Sequence, residues 1–236
     1  MKKILFPLVA LVCTMSMNAQ VMKIMKGTEV VATYTADQAD NVVFEEAPAV
    51  TTTGTAKRTG NIDVNWVQLW ENGPKFAEYN VGAANNKAED YGGYYAWGGN
   101  QDKVDDHNTT NTGKGDLTGA DDTATKLWGS NWRMPKQDEL QKLIANCDVV
   151  WTTINGVSGR KFTGKGDYSS NSVFLPAAGY CYYGNVGGQG YVGIYWSSTP
   201  YGSYYAYYLY FDSGYQFVDN FYYRYYGFSV RAVLAE

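Results

Sequence analysis

The spacing of apolar residues predicts two helices in the first part of the chain. Between Pro135 and Asn146, apolar side chains recur at Leu140, Leu143 and Ile144, which is the spacing of one helix face. The proline at the start suits a first helical turn, and the acidic residues after it suit the positive end of the helix dipole. The shorter segment 121–128 has a similar character. We therefore predict a helix in each segment.

After residue 148 the pattern changes to short apolar runs separated by glycine turns. Runs of this length, rich in β-branched and aromatic residues, are typical of strands. They cover residues 149–155, 172–180, 194–199, 207–211 and 228–233. Helices early and strands late predict an α+β domain with a mostly antiparallel sheet and long loops in its second half.

The first 19 residues have the layout of a secretory signal peptide. Two lysines precede an apolar run from Ile4 to about Thr14, and the small residue Ala19 stands before the expected cleavage point. The run is short for a membrane span. Lipidation at Cys13 is an alternative, which we disfavour because Val12 replaces the small residue expected before a lipidated cysteine. We predict export to the cell surface or periplasm.

The mature chain divides into three parts by composition. Residues 20–47 contain two β-branched runs, 29–34 and 42–44, and predict a small strand-rich segment. Residues 48–60 are rich in Thr, Ala and Gly and are interpreted as a linker. Residues 61–236 are long enough to form one domain with a substantial core.

Two cysteines remain after the signal peptide, Cys147 and Cys181. In an oxidising compartment they could pair. The alternative that we favour for Cys147 is a small buried apolar residue at the end of the second helix, because two cysteines at this spacing form no zinc or redox motif.

Charge and composition exclude some partners. The chain of 236 residues has a net charge of -4 and a pI of about 5.1. It has no basic stripe, so we expect no nucleic-acid partner.

Tyrosine is concentrated in one stretch. Eleven of the 22 tyrosines lie between Tyr201 and Phe228. A buried strand would favour Val, Ile and Leu, and a solvated strand would favour Thr, Lys and Glu. Exposed tyrosines instead resemble an antibody combining site, because each ring offers a large apolar area and a hydroxyl group with little rotamer entropy to lose.

Alternation along 206–212 divides this stretch into two faces. We predict that Tyr207, Leu209 and Phe211 point into the core. The opposite set is then expected to meet solvent: Ala206, Tyr208, Tyr210 and Asp212. A less specific interpretation is that the tyrosines form cross-strand pairs that stabilise an exposed sheet, each contributing roughly 0.2 to 1 kcal/mol. We assign the aromatic residues of an earlier region to the core: Tyr94, Tyr95, Trp97, Trp128 and Trp132.

Six motifs occur in an order that resembles a known family. They are VQLWENGPKFAEYNVGA (67–83), YGGYYAWGG (91–99), WGSNWRMPKQDELQKLI (128–144), VFLPAAGY (173–180), YWSST (195–199) and GFSVRAV (227–233). Together they resemble the C-type lectin-like domains of bacterial surface proteins, and more closely the variable proteins of diversity-generating retroelements. The resemblance covers residues 61–236.

The resemblance implies a diversified ligand-binding face. In such systems an error-prone reverse transcriptase changes template adenines, so that asparagine codons give residues such as Tyr, Asp and Phe. Ala206, Leu209, Phe211, Gly214 and Arg224 would belong to the constant frame. The predicted ligand-binding residues are Tyr182, Tyr183, Tyr191, Tyr201, Tyr204, Tyr205, Tyr208, Tyr210, Asp212, Tyr215, Phe217, Asp219, Phe221, Tyr222, Tyr223, Tyr225 and Tyr226.

Catalytic and metal-dependent functions lack their usual residues. The only histidine, His107, lies in a polar loop, which excludes a histidine-based triad and a multi-histidine metal site. Formylglycine-generating enzymes share the fold in outline, but their site depends on cysteines near the C-terminal core, and no second cysteine lies close to Cys181 in the sequence. The triplets EPN, QPD and WND, with which related lectins hold calcium, do not occur, and the acidic residues in 101–106 and 121–122 lack a defined calcium-ligand spacing.

These observations predict a binding protein with no cofactor, no metal and no enzymatic activity. Its partner would be an unidentified protein or glycan on another cell, a phage or a host surface. The alternative is a carbohydrate-binding or structural surface domain without diversification, in which tyrosines stack on sugar rings.

Overall fold

The computed structural model describes residues 4–6, 21–26, 29–35, 44–46, 51–103 and 114–235. The chain divides into two compact units, Met1–Thr51 and Thr52–Glu236. In the first unit, β1 (Ile4–Phe6) pairs in parallel with β4 (Phe44–Glu46), and β2 (Val21–Lys26) pairs antiparallel with β3 (Glu29–Thr35). The strand predicted at 29–34 is thus confirmed. The predicted signal peptide and its Cys13 lie, apart from β1, outside the described residues.

The described residues of the second unit form two α-helices and several small sheets. The helices are α1 (Thr123–Trp128) and α2 (Gln137–Asn146). The strands are β5 (Thr53–Arg58), β6 (Ile62–Gln68), β7 (Lys75–Ala77), β8 (Trp132–Arg133), β9 (Asp148–Ile154), β10 (Val157–Thr163), β11 (Ser172–Pro176), β12 (Tyr180–Tyr182), β13 (Asn185–Gly187), β14 (Gly193–Tyr201), β15 (Tyr205–Phe211), β16 (Gln216–Tyr223) and β17 (Val233–Leu234). This mixed, mostly antiparallel arrangement agrees with the predicted α+β class.

Both predicted helices are present, and each starts two residues later than predicted. The carboxylate of Asp122 accepts hydrogen bonds from the backbone N–H of Thr125 (3.0 Å) and of Met134 (2.8 Å), so it caps α1 and holds the following segment. The Glu139 carboxylate accepts from the backbone N–H of Lys136 (2.7 Å) at the start of α2. Short polar side chains at a helix start satisfy amide groups that the helix itself leaves unpaired.

The predicted linker is shorter than residues 48–60. Residues 53–58 form β5, which pairs antiparallel with β6 along its whole length. Small Thr, Gly and Ala residues suit this edge position because the ring of Trp66 lies against Gly54, where an added Cβ would be 2.6 Å from it. The sequence interpretation therefore missed a strand that is set by its partner rather than by its own apolar residues.

The sheet of β14, β15 and β16 is covered on both faces. Ile194 and Trp196 belong to one core cluster, which also contains Trp97, Trp132 and Phe228. The opposite face contributes to a second cluster, together with residues from α2 and from the sheet of β9, β10 and β11: Tyr195, Leu209, Phe211, Leu140, Leu143 and Phe162. The aromatic residues assigned to the core, Tyr94, Tyr95, Trp97, Trp128 and Trp132, are all buried.

The predicted strand at 228–233 is mostly an extended segment that pairs with several others in turn. Phe228 and Ser229 form isolated bridges to Tyr95 and Tyr195, and regular strand structure is restricted to β17. The side chain of Arg231 explains this course. Its guanidinium is fully buried and donates to the Oδ1 atom of Asn80 (2.8 Å) and to three backbone carbonyl oxygens, those of Ala77, Glu78 and Phe174 (3.1, 2.8 and 3.0 Å).

The two cysteines of the second unit are buried and do not pair with each other. Cys147 packs in the second core cluster, whereas Cys181 packs with Tyr94 and Ala178. Burial raises the pKa of the Cys147 thiol to about 12, so at neutral pH it is an unreactive apolar side chain.

In the part of the chain that is described, no helix is long and apolar enough to cross a membrane.

Candidate ligand-binding surface

Most of the predicted ligand-binding residues lie on one hairpin and on the turns beside it. The hairpin consists of β15 and β16, and β16 is the outer strand of its sheet. After β16 the chain passes alongside β12, because Gly227 and Cys181 exchange two backbone hydrogen bonds of 2.7 and 2.9 Å. This pairing brings the tyrosines that follow Cys181 close to those that precede Gly227.

Six tyrosines form a continuous series of ring contacts, which we call the tyrosine stack. The ring centroids of Tyr205 and Tyr223 are 4.6 Å apart, those of Tyr223 and Tyr225 are 5.1 Å apart, and those of Tyr225 and Tyr226 are 5.2 Å apart. The Tyr226 ring lies 4.6 Å from that of Tyr182, at an interplanar angle of 10°. The series ends with Tyr182 and Tyr183, whose centroids are 4.4 Å apart. Predicted site residues from two distant segments thus form one feature.

Tyr222 joins the stack to the core. Its ring meets the edges or faces of Tyr226, Tyr208 and Phe228 at centroid distances of 5.2, 4.9 and 5.0 Å. Phe228 in turn packs against Trp196 at 4.3 Å. Edge-to-face contacts of this kind stabilise aromatic pairs by roughly 0.5 to 1.5 kcal/mol beyond their area. The contacts of Tyr222 with Phe228, and of Phe228 with Trp196, therefore hold the stack against the core.

Arg224 supports the same region from the interior. Its side chain is almost fully buried, donates to the carbonyl oxygens of Tyr205 (2.9 Å) and Gly202 (2.8 Å), and lies 4.1 Å from the ring centroid of Trp97. Carbonyl dipoles and an aromatic face thereby contribute to stabilising the buried cation. Arg224 therefore supports the hairpin from its buried side.

The hydroxyl groups of the stack lie close enough to perturb one another. Burial raises the pKa of Tyr226 to about 12, and the neighbouring Tyr182 adds to the effect. The pKa of Tyr205 is raised chiefly by its hydrogen bond with the Tyr223 hydroxyl. For Tyr226 and Tyr205 the neutral form of the side chain is therefore favoured.

Two smaller aromatic groups flank the stack. Tyr201 contacts Tyr207 at 5.6 Å and Phe221 at 6.4 Å between centroids. At the other end of the hairpin, Tyr210 and Phe217 stack at 4.9 Å with an angle of 18°. We call these five residues together with the tyrosine stack the aromatic surface.

The two predicted carboxylates have different surroundings. Asp212 holds the hairpin turn: its Oδ1 atom accepts from the backbone N–H groups of Gly214 (2.7 Å) and Tyr215 (2.8 Å), and its Oδ2 atom accepts from the Tyr210 hydroxyl (3.2 Å). These hydrogen bonds, that of Tyr215 first, lower the pKa of Asp212. Asp219 lies half-buried in the middle of β16, beside Tyr208.

Exposure differs widely among the predicted site residues. Eight of them are exposed: Tyr183, Tyr191, Tyr201, Tyr204, Tyr215, Phe217, Phe221 and Tyr223. Eight are half-buried: Tyr182, Tyr205, Tyr210, Asp212, Asp219, Tyr222, Tyr225 and Tyr226. Within the described chain, Tyr191, Tyr204 and Tyr215 make no ring contact with another predicted residue, although they are among the most exposed aromatic side chains.

The prediction for Tyr208 was wrong. Tyr208 and Ala206 were expected to meet solvent, but their exposures are 4% and 0%, and both belong to the first core cluster. The physical reason is that both faces of β15 are covered, so alternation here separates two cores instead of core and solvent. Tyr207, expected in the core, is half-buried and contacts Tyr201.

The sequence did not indicate that Tyr207 belongs to the aromatic surface. It also did not indicate that Tyr222 connects the stack to the core. Tyr207 belongs to the aromatic surface through Tyr201, and its carbonyl oxygen accepts from the Ser197 hydroxyl at 2.8 Å. The available signal was the density of aromatic residues on both sides of the hairpin. It does not tell which rings point inward, because that depends on Trp196 and Phe228 from other parts of the fold.

A groove of about 590 Å³ lies elsewhere in the second unit. It is lined by β5, β6, β10 and β11 and contains none of the predicted site residues. No group of three or more His, Cys, Asp or Glu side chains that could hold a metal ion occurs among the residues that the structure describes. His107 and the acidic residues of 104–106 lie outside them.

Comparison with known proteins gives one match. A family model described as a domain of unknown function, DUF8237, matches residues 142–233. This range includes the hairpin, β12 and the segment around Arg231. It does not include α1 or the strands β5, β6, β7 and β8. No curated protein and no solved structure matches the chain.

Substituting Tyr208 and Tyr204 should have opposite consequences within one hairpin. Tyr208→Ala removes a buried ring and should lower the free energy of unfolding by about 3 kcal/mol. Tyr204→Ala, at an exposed position (62%), should change it by about 0.5 kcal/mol or less. Urea unfolding followed by tryptophan fluorescence measures both. Equal destabilisation by the two variants would contradict the burial described here.

The stack should also make stability depend on pH in the alkaline range. The folded-state pKa of Tyr226, about 12, lies above the ordinary value of 10.0, so the unfolded chain loses this proton first. The resulting stability is complete below pH 10 and is lost as the pH rises towards 12. Tyr226→Phe should therefore reduce the fall in unfolding free energy between pH 10 and pH 12, as measured by urea unfolding. A slope identical to that of the unsubstituted protein would count against it.

Proposed function

We propose that this protein is an exported receptor-type binding protein that presents a tyrosine-rich, variable ligand-binding surface on a C-type lectin-like scaffold. The observation that carries the proposal is the contrast between neighbouring residues of the hairpin. Leu209, Phe211 and Arg224 are buried, whereas Tyr204, Phe221 and Tyr223 are exposed. A constant frame with outward-pointing aromatic residues is the organisation that the resemblance to retroelement variable proteins implies.

The energetic cost of the exposed rings supports a binding role over a structural one. Contiguous apolar surface is generally disfavoured in a soluble domain unless something covers it. Cross-strand pairing explains why an aromatic residue faces another at two places, Tyr205 opposite Tyr223 and Tyr210 opposite Phe217. It does not account for the 71% exposure of Phe221. Tyrosine rings supply area and hydrogen-bonding groups together, which is the composition of antibody combining sites.

The chemistry of the surface favours recognition over catalysis. Its groups are aromatic rings, phenolic hydroxyls that are neutral at physiological pH, and two carboxylates. Asp212 is engaged by the turn, and Arg224 lies beneath the surface, where it binds backbone oxygen atoms. We therefore propose a non-enzymatic function in which a protein or glycan on another cell, a phage or a host surface is the partner.

Binding should depend on a few exposed rings. We expect that the full-length protein retains a specific partner from intact cells or phage of its habitat, and that single alanine variants at Tyr204, Tyr215, Phe221 and Tyr223 identify the contacts. One or two of them should weaken affinity for the identified partner by about 2 kcal/mol or more, as central aromatic residues of interfaces do.

The matched control for this experiment is Val150→Ala, an exposed apolar residue (59%) on β9, in a different sheet. It should leave affinity unchanged. Equal affinity of all four aromatic variants and the control would contradict a binding role for this surface. Loss of binding in a chelator, with recovery on addition of calcium, would favour calcium-dependent sugar recognition instead.

Diversification makes a separate prediction about the gene. In a population of the source organism, deep sequencing of the coding region should find variation at the codons for residues 182–226 and little at the codons for 52–165. Variable codons should differ at positions where a nearby template copy carries adenine. Uniform variation over both regions, or none in either, would leave a binding surface that is not diversified.

A further inference from the structure

We propose that the aromatic surface binds a cationic partner, a protein segment that presents arginine side chains. The inference rests on the binding function proposed above and adds the chemical class of the ligand. It draws on three features that are independent of the resemblance: the distribution of basic residues, the position of one carboxylate and the electrostatics of the exposed rings.

Basic residues are scarce in the half of the second unit that forms the aromatic surface. From residue 166 to the C-terminus the sequence contains two, Arg224 and Arg231, and both are 2% exposed or less. Arg231 donates to Asn80 and to backbone carbonyl oxygens, and Arg224 donates to the carbonyl oxygens of Tyr205 and Gly202. This segment therefore offers a ligand no exposed cation, and an anionic ligand would gain no ion pair from it.

One carboxylate lies among the exposed rings of the outer strand. Asp219 is half-buried in β16, two residues from Phe217 and two from Phe221, which are 42% and 71% exposed. Its Oδ1 atom accepts from the backbone N–H of Asn220 at 2.8 Å. The second carboxylate, Asp212, is engaged by two backbone N–H groups and the Tyr210 hydroxyl in the hairpin turn. The Asp219 side chain also shares a hydrogen bond with the Tyr208 hydroxyl, and it remains the partly exposed carboxylate of this strand beside the exposed rings.

Exposed aromatic rings attract cations in two ways. The face of each ring carries partial negative charge, and a guanidinium or ammonium group within about 6 Å of it is stabilised by roughly 0.5 to 2 kcal/mol. The most exposed rings of the aromatic surface, Phe221 and Tyr183, present such faces. The hydroxyl oxygens of the stack accept hydrogen bonds from donors. Arginine satisfies both arrangements because its planar group stacks on rings and carries five N–H donors.

The interior of the protein contains the same geometry on a smaller scale. The guanidinium of Arg224 lies 4.1 Å from the ring centroid of Trp97 while its N–H groups reach carbonyl oxygens. An arginine from a partner would find an equivalent set of acceptors on the outside: ring faces, phenolic oxygens and the Asp219 carboxylate. A neutral sugar would use the rings but would gain nothing from that charge.

The test compares peptides that differ only in charge. The full-length protein is titrated with fluorescently labelled peptides of one length in which arginine, lysine, citrulline or glutamate alternates with glycine and serine, and fluorescence anisotropy gives the dissociation constants. Citrulline keeps the size of arginine and removes its charge. We expect the arginine peptide to bind about tenfold more tightly than the citrulline peptide, and more weakly as salt is raised. The glutamate peptide should not bind.

Variants locate the interaction. Phe221→Ser and Asp219→Asn should each reduce the affinity for the arginine peptide several-fold, and Asp219→Asn should also reduce the difference between arginine and citrulline peptides. Val150→Ala serves as the control and should have no effect. Circular dichroism and urea unfolding verify that each variant is folded. Asp219→Asn retains an oxygen atom that can accept the hydrogen bond of Asn220.

The outcomes separate this inference from the function on which it rests. Equal affinity for the arginine and citrulline peptides, preference for the glutamate peptide, or no binding of the arginine peptide overturns the cationic class. If the partner retained from cells or phage still loses affinity in the aromatic variants, the proposed binding function survives with a ligand of different chemistry. If that partner is insensitive to those variants, the binding function itself fails.

Discussion

The second unit is organised around a cation that has been removed from water. The guanidinium of Arg231 is fully buried, and its solvation is replaced by Asn80 and three backbone carbonyl oxygens from two separate segments. Burial lowers its pKa to about 10, so the group stays charged at neutral pH. A buried charge without its hydrogen-bond partners is strongly destabilising. The segments at 77–80, 174 and 231 must therefore assemble together, and the Asn80 amide extends the network to the hydroxyl of Tyr195 at 3.1 Å.

That assembly determines what remains for the surface. Tyr195 lies in β14, so fixing its ring places the β14, β15 and β16 sheet between two cores. The middle of β15 is then unavailable to solvent on either side. The positions left at the surface are the outer strand β16, the turns at both ends of the hairpin and the neighbouring tyrosines after Cys181. The location of the aromatic surface is thus a consequence of core packing.

The sequence predicts those parts of the fold and of the aromatic surface that depend on local patterns, and it does not predict those that depend on distant residues. The helical spacing of Leu140, Leu143 and Ile144 is a local signal, and α2 follows it. The high tyrosine content of residues 201–228 indicated exposed aromatic residues, and Tyr204 and Phe221 are exposed. Tyr208 was misplaced because alternation reveals which residues share a face but not what covers it. The stacking of Tyr182 on Tyr226 depends on the Cys181–Gly227 pairing, which has no local sequence signal. Strand β5 was missed because its composition is that of a flexible segment.

The way in which Arg224 holds the hairpin has a consequence for how the surface can change over time. Two hydrogen bonds of its side chain end on the main-chain oxygen atoms of Gly202 and Tyr205, and its backbone N–H donates to the carbonyl oxygen of Tyr204 at 3.0 Å. Every residue type carries such an oxygen atom. The hydrogen bonds from Arg224 to backbone oxygen atoms therefore do not depend on which side chains occupy positions 204 and 205. Substitutions there leave these backbone hydrogen bonds in place, so the side chains at 204 and 205 can change without removing this support of the hairpin.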